Sequence, residues 1–172
     1  MRVLVTGGAG FIGSALVDQL VKRGDQVLVV DNFSTGSEKN LIEVQKVSGV
    51  DLAVEKCDIR EAETTKLIVD YEPSVIFHLA AQVDVRASVD DPLNDAENNL
   101  VGMLRVLEGA RNAKTEKLIF ASSGGTIYGE PDLTKLPLNE NNPWNPLSPY
   151  GVSKLAGGLY LETYTYLYGL KG

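Results

Sequence analysis

The chain has 172 residues, of which 44% are hydrophobic and 23% charged, a composition typical of one globular domain. Its formal net charge of -7, from 16 basic and 23 acidic residues, argues against binding nucleic acid or an anionic membrane by bulk electrostatics. The sequence contains no run near the roughly 18 to 20 apolar residues of a membrane span. Because Met1 leads directly into an apolar segment, we expect no leader peptide and a cytoplasmic location.

The chain opens with an apolar run that leads into a glycine-rich turn. Val-Leu-Val at positions 3–5 predicts a buried parallel strand. Three glycines spaced three apart follow: Gly7 suits a tight turn, Gly10 a close approach to a pyrophosphate, and Gly13 close packing of the next helix. Such a turn also occurs for purely structural reasons, so the elements that follow have to distinguish a nucleotide-binding turn from a structural one.

A helix, a second strand and an acidic residue complete this pattern. The helix is expected over residues 11–23, with its N-terminal N–H groups and positive dipole end toward a phosphate. The second strand, residues 26–30, ends at Asp31, where a carboxylate is the expected partner of adenosine ribose hydroxyls. The same carboxylate would repel a 2′-phosphate, so the pattern favours NAD over NADP.

The middle of the chain continues to alternate strand and helix. We expect helices over 38–47, with Gly49 as the stop signal, and over 61–70, and strands over 50–55 and 74–79. Asp58 follows the third strand, and it either accepts a hydrogen bond from an adenine amino group or caps the next helix. Small residues after the fourth strand, Ala80 and Ala81, permit close approach of a ligand.

The single cysteine and single histidine both follow or end apolar strands. Cys57 cannot form an internal disulfide, and with His78 alone it does not make a zinc site. We therefore interpret both as buried strand-end residues rather than as catalysts, and we expect no metal site.

The second half predicts a long helix from about 91 to 113, a fifth strand over 116–121 and a final helix over 150–168. Asn99 in the long helix either faces solvent or hydrogen-bonds the turn around the cofactor. The alternation of strand and helix predicts an α/β fold with a doubly wound parallel sheet of the Rossmann type. We expect about five strands in the order 3-2-1-4-5.

The final predicted helix carries Tyr150 and Lys154 four residues apart, on one face. An ammonium close to a phenol is expected to lower the phenol pKa toward the range of a general base. The hydroxyl of Ser123, after the fifth strand, could hold the substrate oxygen whose proton Tyr150 accepts or returns. The spacing is common by chance, but together with the nucleotide-binding turn it favours catalysis.

These motifs together resemble the extended short-chain dehydrogenase/reductase family, and within it the NAD-dependent sugar epimerase/dehydratase group. UDP-glucose 4-epimerases are the nearest type, and the resemblance covers essentially all of the chain, as the N-terminal, cofactor-binding part of such enzymes. The segments that carry it are 6–13, Asp31-Asn32, 57–59, 78–82, Asn99, Ser122-Ser123, Tyr128-Gly129 and 148–154.

The resemblance implies NAD as cofactor and assigns a role to each matching residue. Tyr150 would be the general base, Lys154 would hold the nicotinamide ribose and tune Tyr150, and Ser123 would bind the reacting sugar hydroxyl. In such an epimerase, the base removes the 4′-hydroxyl proton while hydride passes to tightly bound NAD, and the rotated 4-keto sugar takes the hydride back on its other face. The implied cofactor contacts are Gly7, Gly10, Phe11, Ile12 and Gly13 at the pyrophosphate, Asp31 and Asn32 at the ribose, Asp58 and Ile59 at adenine, and Ala80, Ala81, Asn99, Tyr150 and Lys154 elsewhere along the cofactor.

Three features depart from the family pattern. The segment 123–128 is one residue longer than the usual spacing, so Ser122 or Thr126 could replace Ser123 in the hydroxyl role. Gly124-Gly125 stands where sugar 4,6-dehydratases carry an Asp-Glu pair, which counts against dehydratase chemistry. An acidic residue is common in the family near Gly158.

Family members continue beyond the position of Gly172 into a smaller domain that binds the nucleotide sugar. We therefore expect one domain over 1–172, truncated relative to the family and without the substrate domain. The resemblance implies a nucleotide sugar of the UDP-glucose or UDP-galactose type as partner, and a homo-oligomer, expected to be a dimer paired through two long helices. The alternative is a stand-alone or engineered NAD-binding module that turns over no sugar.

Overall fold

The computed structural model describes residues 1–48, 52–132, 134 and 136–172. Its strands form one parallel sheet in the order β3-β2-β1-β4-β5, which confirms the predicted order. The described strands are β1 (Arg2–Thr6), β2 (Gln26–Asp31), β3 (Ala53–Lys56), β4 (Val75–His78) and β5 (Lys117–Phe120). Of the predicted third strand, residues 50 and 51 lie outside the described residues, as does Gly49.

Helices lie between the strands, and a π-helical turn at Glu97–Val101 joins two of them. The described helices are α1 (Phe11–Lys22), α2 (Lys39–Ser48), α3 (Ala62–Tyr71), α4 (Val85–Asp90), α5 (Pro92–Ala96), α6 (Gly102–Asn112), α7 (Gly124–Ile127) and α8 (Pro149–Tyr168). In the part of the chain that the structure describes, none of them is long and apolar enough to cross a membrane.

The sequence prediction missed the short helices α4 and α7, and the π turn that interrupts the predicted long helix. Helix α4 begins after Asp84, whose carboxylate accepts the N–H groups of Arg86 and Ala87 as an N-cap. Helix α5 begins after Asp91, whose carboxylate accepts the N–H of Asn94 at 3.0 Å. Two N-caps in succession thus start two separate short helices. The spacing of apolar residues in this stretch does not reveal the break between them.

The core lies on both faces of the sheet because successive side chains of β1 point to opposite sides. Leu4 packs into a cluster with Ile76, Met103 and Leu118 on one face. Val3 and Val5 pack into a second cluster on the other face. This two-sided burial accounts for the continuous apolar strands and fixes the C-terminal ends of the strands along one edge.

Helix α8 lies against the end of β5 through a glycine. Ser148 caps the helix by accepting the N–H of Gly151 at 3.1 Å. A Cβ placed on Gly157 would lie 2.9 Å from Cζ of Phe120, so this glycine is required for close contact. A Cβ on Gly158 would meet nothing within 4 Å.

We predict opposite effects for Gly157→Ala and Gly158→Ala on the free energy of unfolding measured in urea. Gly158→Ala should stabilise by about 1 kcal/mol, because alanine has the higher helix propensity. Gly157→Ala should destabilise by about 1 to 3 kcal/mol, because the methyl group displaces the Phe120 ring. Equal effects of the two variants would contradict the close contact between α8 and β5.

Candidate functional site

A cavity of about 540 Å³ opens where the strands of the sheet end. Its volume is in the range of small-molecule and cofactor sites, and its place at the carboxyl edge is where open α/β sheets bind ligands. Most of the predicted site residues line it together. The predicted residues in the lining are Gly7, Gly10, Phe11, Ile12, Gly13, Asp31, Asn32, Ile59, Ala80, Ala81, Tyr150 and Lys154.

The glycine turn has the geometry that its spacing predicts. Gly7 has φ +71°, in the left-handed region, and its N–H donates to the Val30 carbonyl at 2.8 Å. A Cβ on Gly13 would lie 2.1 Å from the Gly7 carbonyl oxygen, so α1 can begin here only with glycine. Among the described residues, no side chain caps the α1 N-terminus, which leaves its first N–H groups directed at the cavity edge.

Asp31 is buried at the end of β2, where it fastens the glycine turn to the next loop. One carboxylate oxygen accepts the N–H of Ala9 at 2.9 Å, and the other accepts the N–H of Phe33 at 2.8 Å. Phe33 has φ +59°, a left-handed conformation that is rare for a large side chain. Each carboxylate oxygen has a further lone pair, so Asp31 can also accept ribose hydroxyl groups.

Asp58 forms a charged cluster with its neighbours rather than a helix cap. Asn32 Nδ2 donates to Asp58 Oδ2 at 2.9 Å, and Arg60 donates to both carboxylate oxygens at 2.9 and 2.8 Å. The hydrogen bond from Arg60 holds the pKa of Asp58 well below its usual range. The N-cap position of α3 is Glu61, so of the two interpretations of Asp58 the cap is not formed.

Cys57 and His78 are buried at strand ends, as predicted. Burial raises the pKa of the Cys57 thiol, which contacts the Thr64 hydroxyl at 3.3 Å. Burial, with a smaller effect of Lys154, lowers the pKa of His78 to about 3, so the imidazole is neutral and hydrogen-bonds Thr6 Oγ1 through Nδ1 at 2.7 Å. The described residues include no group of three potential metal-binding side chains.

Asn99 hydrogen-bonds the turn at the cavity wall, which is one of the two alternatives that the sequence left open. Its amide oxygen accepts the N–H of Gln82 and its Nδ2 donates to the Gln82 carbonyl, each at 3.0 Å. The lining of the cavity contains the neighbouring Asn98 and not Asn99. Asn99 therefore supports the wall from behind, in a π turn of the kind that often marks functional positions.

Lys154 extends beneath the cavity and is almost fully buried. Its Nζ donates to the Ala121 carbonyl at 3.0 Å and lies 4.8 Å from the centre of the Phe120 ring and 5.8 Å from that of Tyr150. The carbonyl dipole and the two aromatic faces stabilise a cation. Burial lowers the pKa of Lys154 to about 8, against an opposing effect of Asp95.

The expectation that Lys154 lowers the pKa of Tyr150 is wrong for this arrangement. Burial of the phenol raises the pKa of Tyr150, the nearby Ser123 side chain lowers it by less, and the charge of Asp95 raises it further. The physical reason is that loss of solvation penalises the phenolate more than its hydrogen bond stabilises it.

Three hydroxyl groups were candidates for the substrate-binding role, and the structure places them differently. The Ser123 side chain acts on the Tyr150 phenol and lowers its pKa, whereas Ser122 lines the cavity. The hydroxyl of Thr126 lies 3.5 Å from the Ser123 carbonyl, within the short helix α7. The hydroxyl role of Ser123 stays a prediction.

The sequence analysis missed Asp95, Gln82 and Ser153. Asp95 is fully buried and hydrogen-bonded to both other side chains. Its sequence context, just after Asp91-Pro92, is typical of a solvated acid in the first turn of a helix. In the sequence, the one sign of a partner for Asp95 was the hydroxyl of Ser153, which lies between Tyr150 and Lys154. The sequence did not show that this helix packs against α5.

Comparison with known proteins identifies the family. Residues 4–172 match the family model described as GDP-mannose 4,6 dehydratase. The chain belongs to this family. Within the family, its relatives include the UDP-glucose 4-epimerase of Mycolicibacterium smegmatis, 46% identical over 170 residues that cover 99% of this chain and 53% of that protein.

Solved structures of family members give the same result. The UDP-glucose 4-epimerase of Thermus thermophilus, in complex with NAD, has a TM-score of 0.90 and 44% identity, over 99% of this chain and 52% of that one. The enzyme of Thermotoga maritima, with UDP-glucose, has a TM-score of 0.91 and 40% identity, over 99% and 53%. The chain thus spans about half the length of the relatives it matches, and it is similar to their N-terminal part.

We predict that Tyr150 ionises at a higher pH than an ordinary tyrosine side chain, because burial raises its pKa. Subtracting the alkaline tyrosinate absorbance of Tyr150→Phe from that of the unsubstituted protein should isolate this phenol. Its neutral form should persist through neutral and mildly alkaline pH. A midpoint of the difference signal at or below the ordinary phenol value of about 10 would contradict the raised pKa.

Proposed function

We propose that this chain is the NAD-binding part of a nucleotide-sugar epimerase of the UDP-glucose 4-epimerase type. The observation that carries the proposal is one cavity that runs from Asp31 at β2 to Lys154 beneath β5, with the glycine turn at β1 between them. The proposed acceptor of the ribose hydroxyls, the turn proposed for the pyrophosphate and the buried pair of Tyr150 and Lys154 thus line the same cavity. Solved relatives are described as NAD complexes, which supports NAD as the ligand.

The residues fit NAD at several independent positions. Gly10 presents no side chain to the cavity, and a Cβ there would lie 3.3 Å from the Gly7 carbonyl oxygen. The N–H groups that follow would hold the pyrophosphate, and Asp31 and Asn32 would hold the adenosine ribose. When bound, NAD supplies a hydride acceptor with a positive charge on its ring.

Tyr150, Ser123 and Lys154 would carry the proton chemistry. Ser123 would hold a sugar hydroxyl beside the phenol, because its side chain is near enough to lower the pKa of Tyr150. As its phenolate, Tyr150 would accept the proton of that hydroxyl and return it later, and the positive charge of a bound NAD ring would favour that ionised form. Lys154 would donate its N–H groups to the nicotinamide ribose.

Epimerisation is favoured over 4,6-dehydration despite the description of the family model. In the family that the chain resembles, sugar 4,6-dehydratases carry an Asp-Glu pair after the residue that binds the sugar hydroxyl. This chain has Gly124 and Gly125 at those positions. A Cβ on either glycine would meet nothing within 4 Å, so neither glycine is imposed by close packing. The alternative function is an NAD-binding module without sugar turnover. Homodimerisation and a cytoplasmic location stay predictions from the resemblance and from sequence composition.

We expect this protein to bind NAD at least about tenfold more tightly than NADP, a difference of about 1.4 kcal/mol. The reason is repulsion between the Asp31 carboxylate and a 2′-phosphate. Calorimetric titration of both nucleotides into protein freed of co-purified nucleotide measures the ratio. Equal affinities would contradict the role of Asp31.

Gly10→Val tests the glycine turn in the same assay. Its branched side chain would occupy the pyrophosphate position, so NAD affinity should fall at least about tenfold. Gly158→Ala is the matched control, because it also adds carbon to a glycine but lies in open space on α8. Normal NAD affinity in Gly10→Val, with a native circular dichroism spectrum, would overturn the assignment of the turn.

Tyr150→Phe separates cofactor binding from chemistry. We expect NAD affinity within about twofold of the unsubstituted chain and complete loss of any conversion of UDP-galactose to UDP-glucose, because the proton acceptor is gone. Unchanged conversion would refute Tyr150 as the base. Binding of NAD without conversion by the unsubstituted chain would favour the alternative, a module without turnover.

A further inference from the structure

Asp95 in α5 is a buried carboxylate held by three different elements. It is 0% exposed. Its oxygens accept hydrogen bonds from Ser153 Oγ of α8 at 2.6 Å, Asn99 Nδ2 of the π turn at 2.9 Å and Gln82 Nε2 of the loop after β4 at 3.2 Å. Within the described part of the chain, no basic group pairs with it at 4 Å or less. Burying a carboxylate is costly, so its retention needs these donors.

The three hydrogen bonds connect the two walls of the cavity. Ser153 directly precedes Lys154 on α8 and follows Tyr150 by three residues. Gln82 belongs to the loop whose neighbours Ala81 and Val83 line the cavity. Any displacement of Asp95 would therefore move both the helix that carries the proposed base and the loop on the opposite wall.

The charge of Asp95 also acts on the Lys154 ammonium, which has few other charged or polar groups near it among the described residues. The other groups that face the ammonium are the neutral imidazole of His78 on β4, the Phe120 ring and Ala121 carbonyl at the end of β5, and the phenol of Tyr150 on α8 itself. Asp31 lies in the lining of the same cavity. Burial lowers the pKa of Lys154 to about 8, and the charge of Asp95 acts in the opposite direction.

We propose that Asp95 is a positioning residue of the cavity: its hydrogen bonds hold α8 against the Gln82 loop, and its buried negative charge favours a cation at Lys154 on the same helix. The inference rests on the proposed function in one respect, that Lys154 is a ligand of the nicotinamide ribose. A cationic lysine offers three N–H donors and a positive charge to that ribose, whereas the neutral amine offers two donors and no charge.

Asp95→Asn separates charge from geometry, because the amide is isosteric with the carboxylate. Its oxygen can still accept from Asn99 and Gln82, and its NH₂ group can donate to Ser153, whose hydroxyl both donates and accepts. Ser153→Ala is the complementary variant, since it deletes one hydrogen bond and leaves the charge. Together they distinguish a buried charge from a purely structural hydrogen-bond network.

The direct test is an NMR titration of isotope-labelled lysine side chains, with the Lys154 signal assigned from Lys154→Met. In Asp95→Asn, the titration midpoint of Lys154 should fall by about one pH unit, because a nearby opposite charge is lost. In Ser153→Ala, the midpoint should move far less. An unchanged midpoint in folded Asp95→Asn overturns the proposal. If Asp95→Asn does not fold, the titration is made in the Gly158→Ala background, which is expected to be more stable by about 1 kcal/mol.

A second measurement, NAD affinity against pH, keeps this inference distinct from the proposed function. NAD affinity should fall as Lys154 loses its proton, and in Asp95→Asn that loss should begin about one pH unit lower. Failure of the unsubstituted chain to bind NAD at neutral pH would contradict the proposed function, while the lysine titration would still decide the role of Asp95. Identical pH profiles for NAD binding in both proteins would overturn that role.

Discussion

The central place of β1 in a parallel sheet is the constraint on which the cavity depends. Thr6, its last residue, pairs with Val30 of β2 on one side and with His78 of β4 on the other. Three neighbouring strands therefore end at one level, and the Thr6 hydroxyl joins His78 and the N–H of Ala80 there. Helices cover both faces of the sheet, and the cavity lies at the carboxyl edge of the strands, where open α/β sheets bind their ligands.

The second constraint is the burial of two opposite charges in one small domain. Lys154 is 3% exposed, and a carbonyl oxygen and two aromatic faces compensate its charge. Asp95 is compensated instead by hydrogen-bond donors. Neither ion has a direct partner of opposite charge within 4 Å among the described residues, so each one depends on how α8 packs. The contact between Gly157 and Phe120 thus affects the electrostatics of the cavity as well as the core.

The parts that sequence predicted well are those that depend on local spacing. The apolar run before Gly7, the acid at position 31 and the spacing of Tyr150 and Lys154 are all visible in a short window. The short helices α4 and α7 were missed because they begin at turns, and neither is long enough to show an apolar period of its own. The burial of Asp95 was missed because it arises from the packing of α5 on α8, residues 58 positions apart.

The pKa of Tyr150 shows why a motif predicts the participants of a site better than their energies. Spacing on a helix correctly placed the phenol and Lys154 on one face, but it says nothing about how much solvent either group loses. Burial is the larger effect for both groups: it raises the pKa of the phenol and lowers that of the ammonium, opposite to what the pair alone would do. The charged and hydrogen-bonding groups that act on these two pKa values, Asp95 and Ser123, both belong to this chain. The positions of Tyr150 and Lys154 therefore depend on how α8 packs within this chain, through Ser153 on Asp95 and Lys154 on the Ala121 carbonyl.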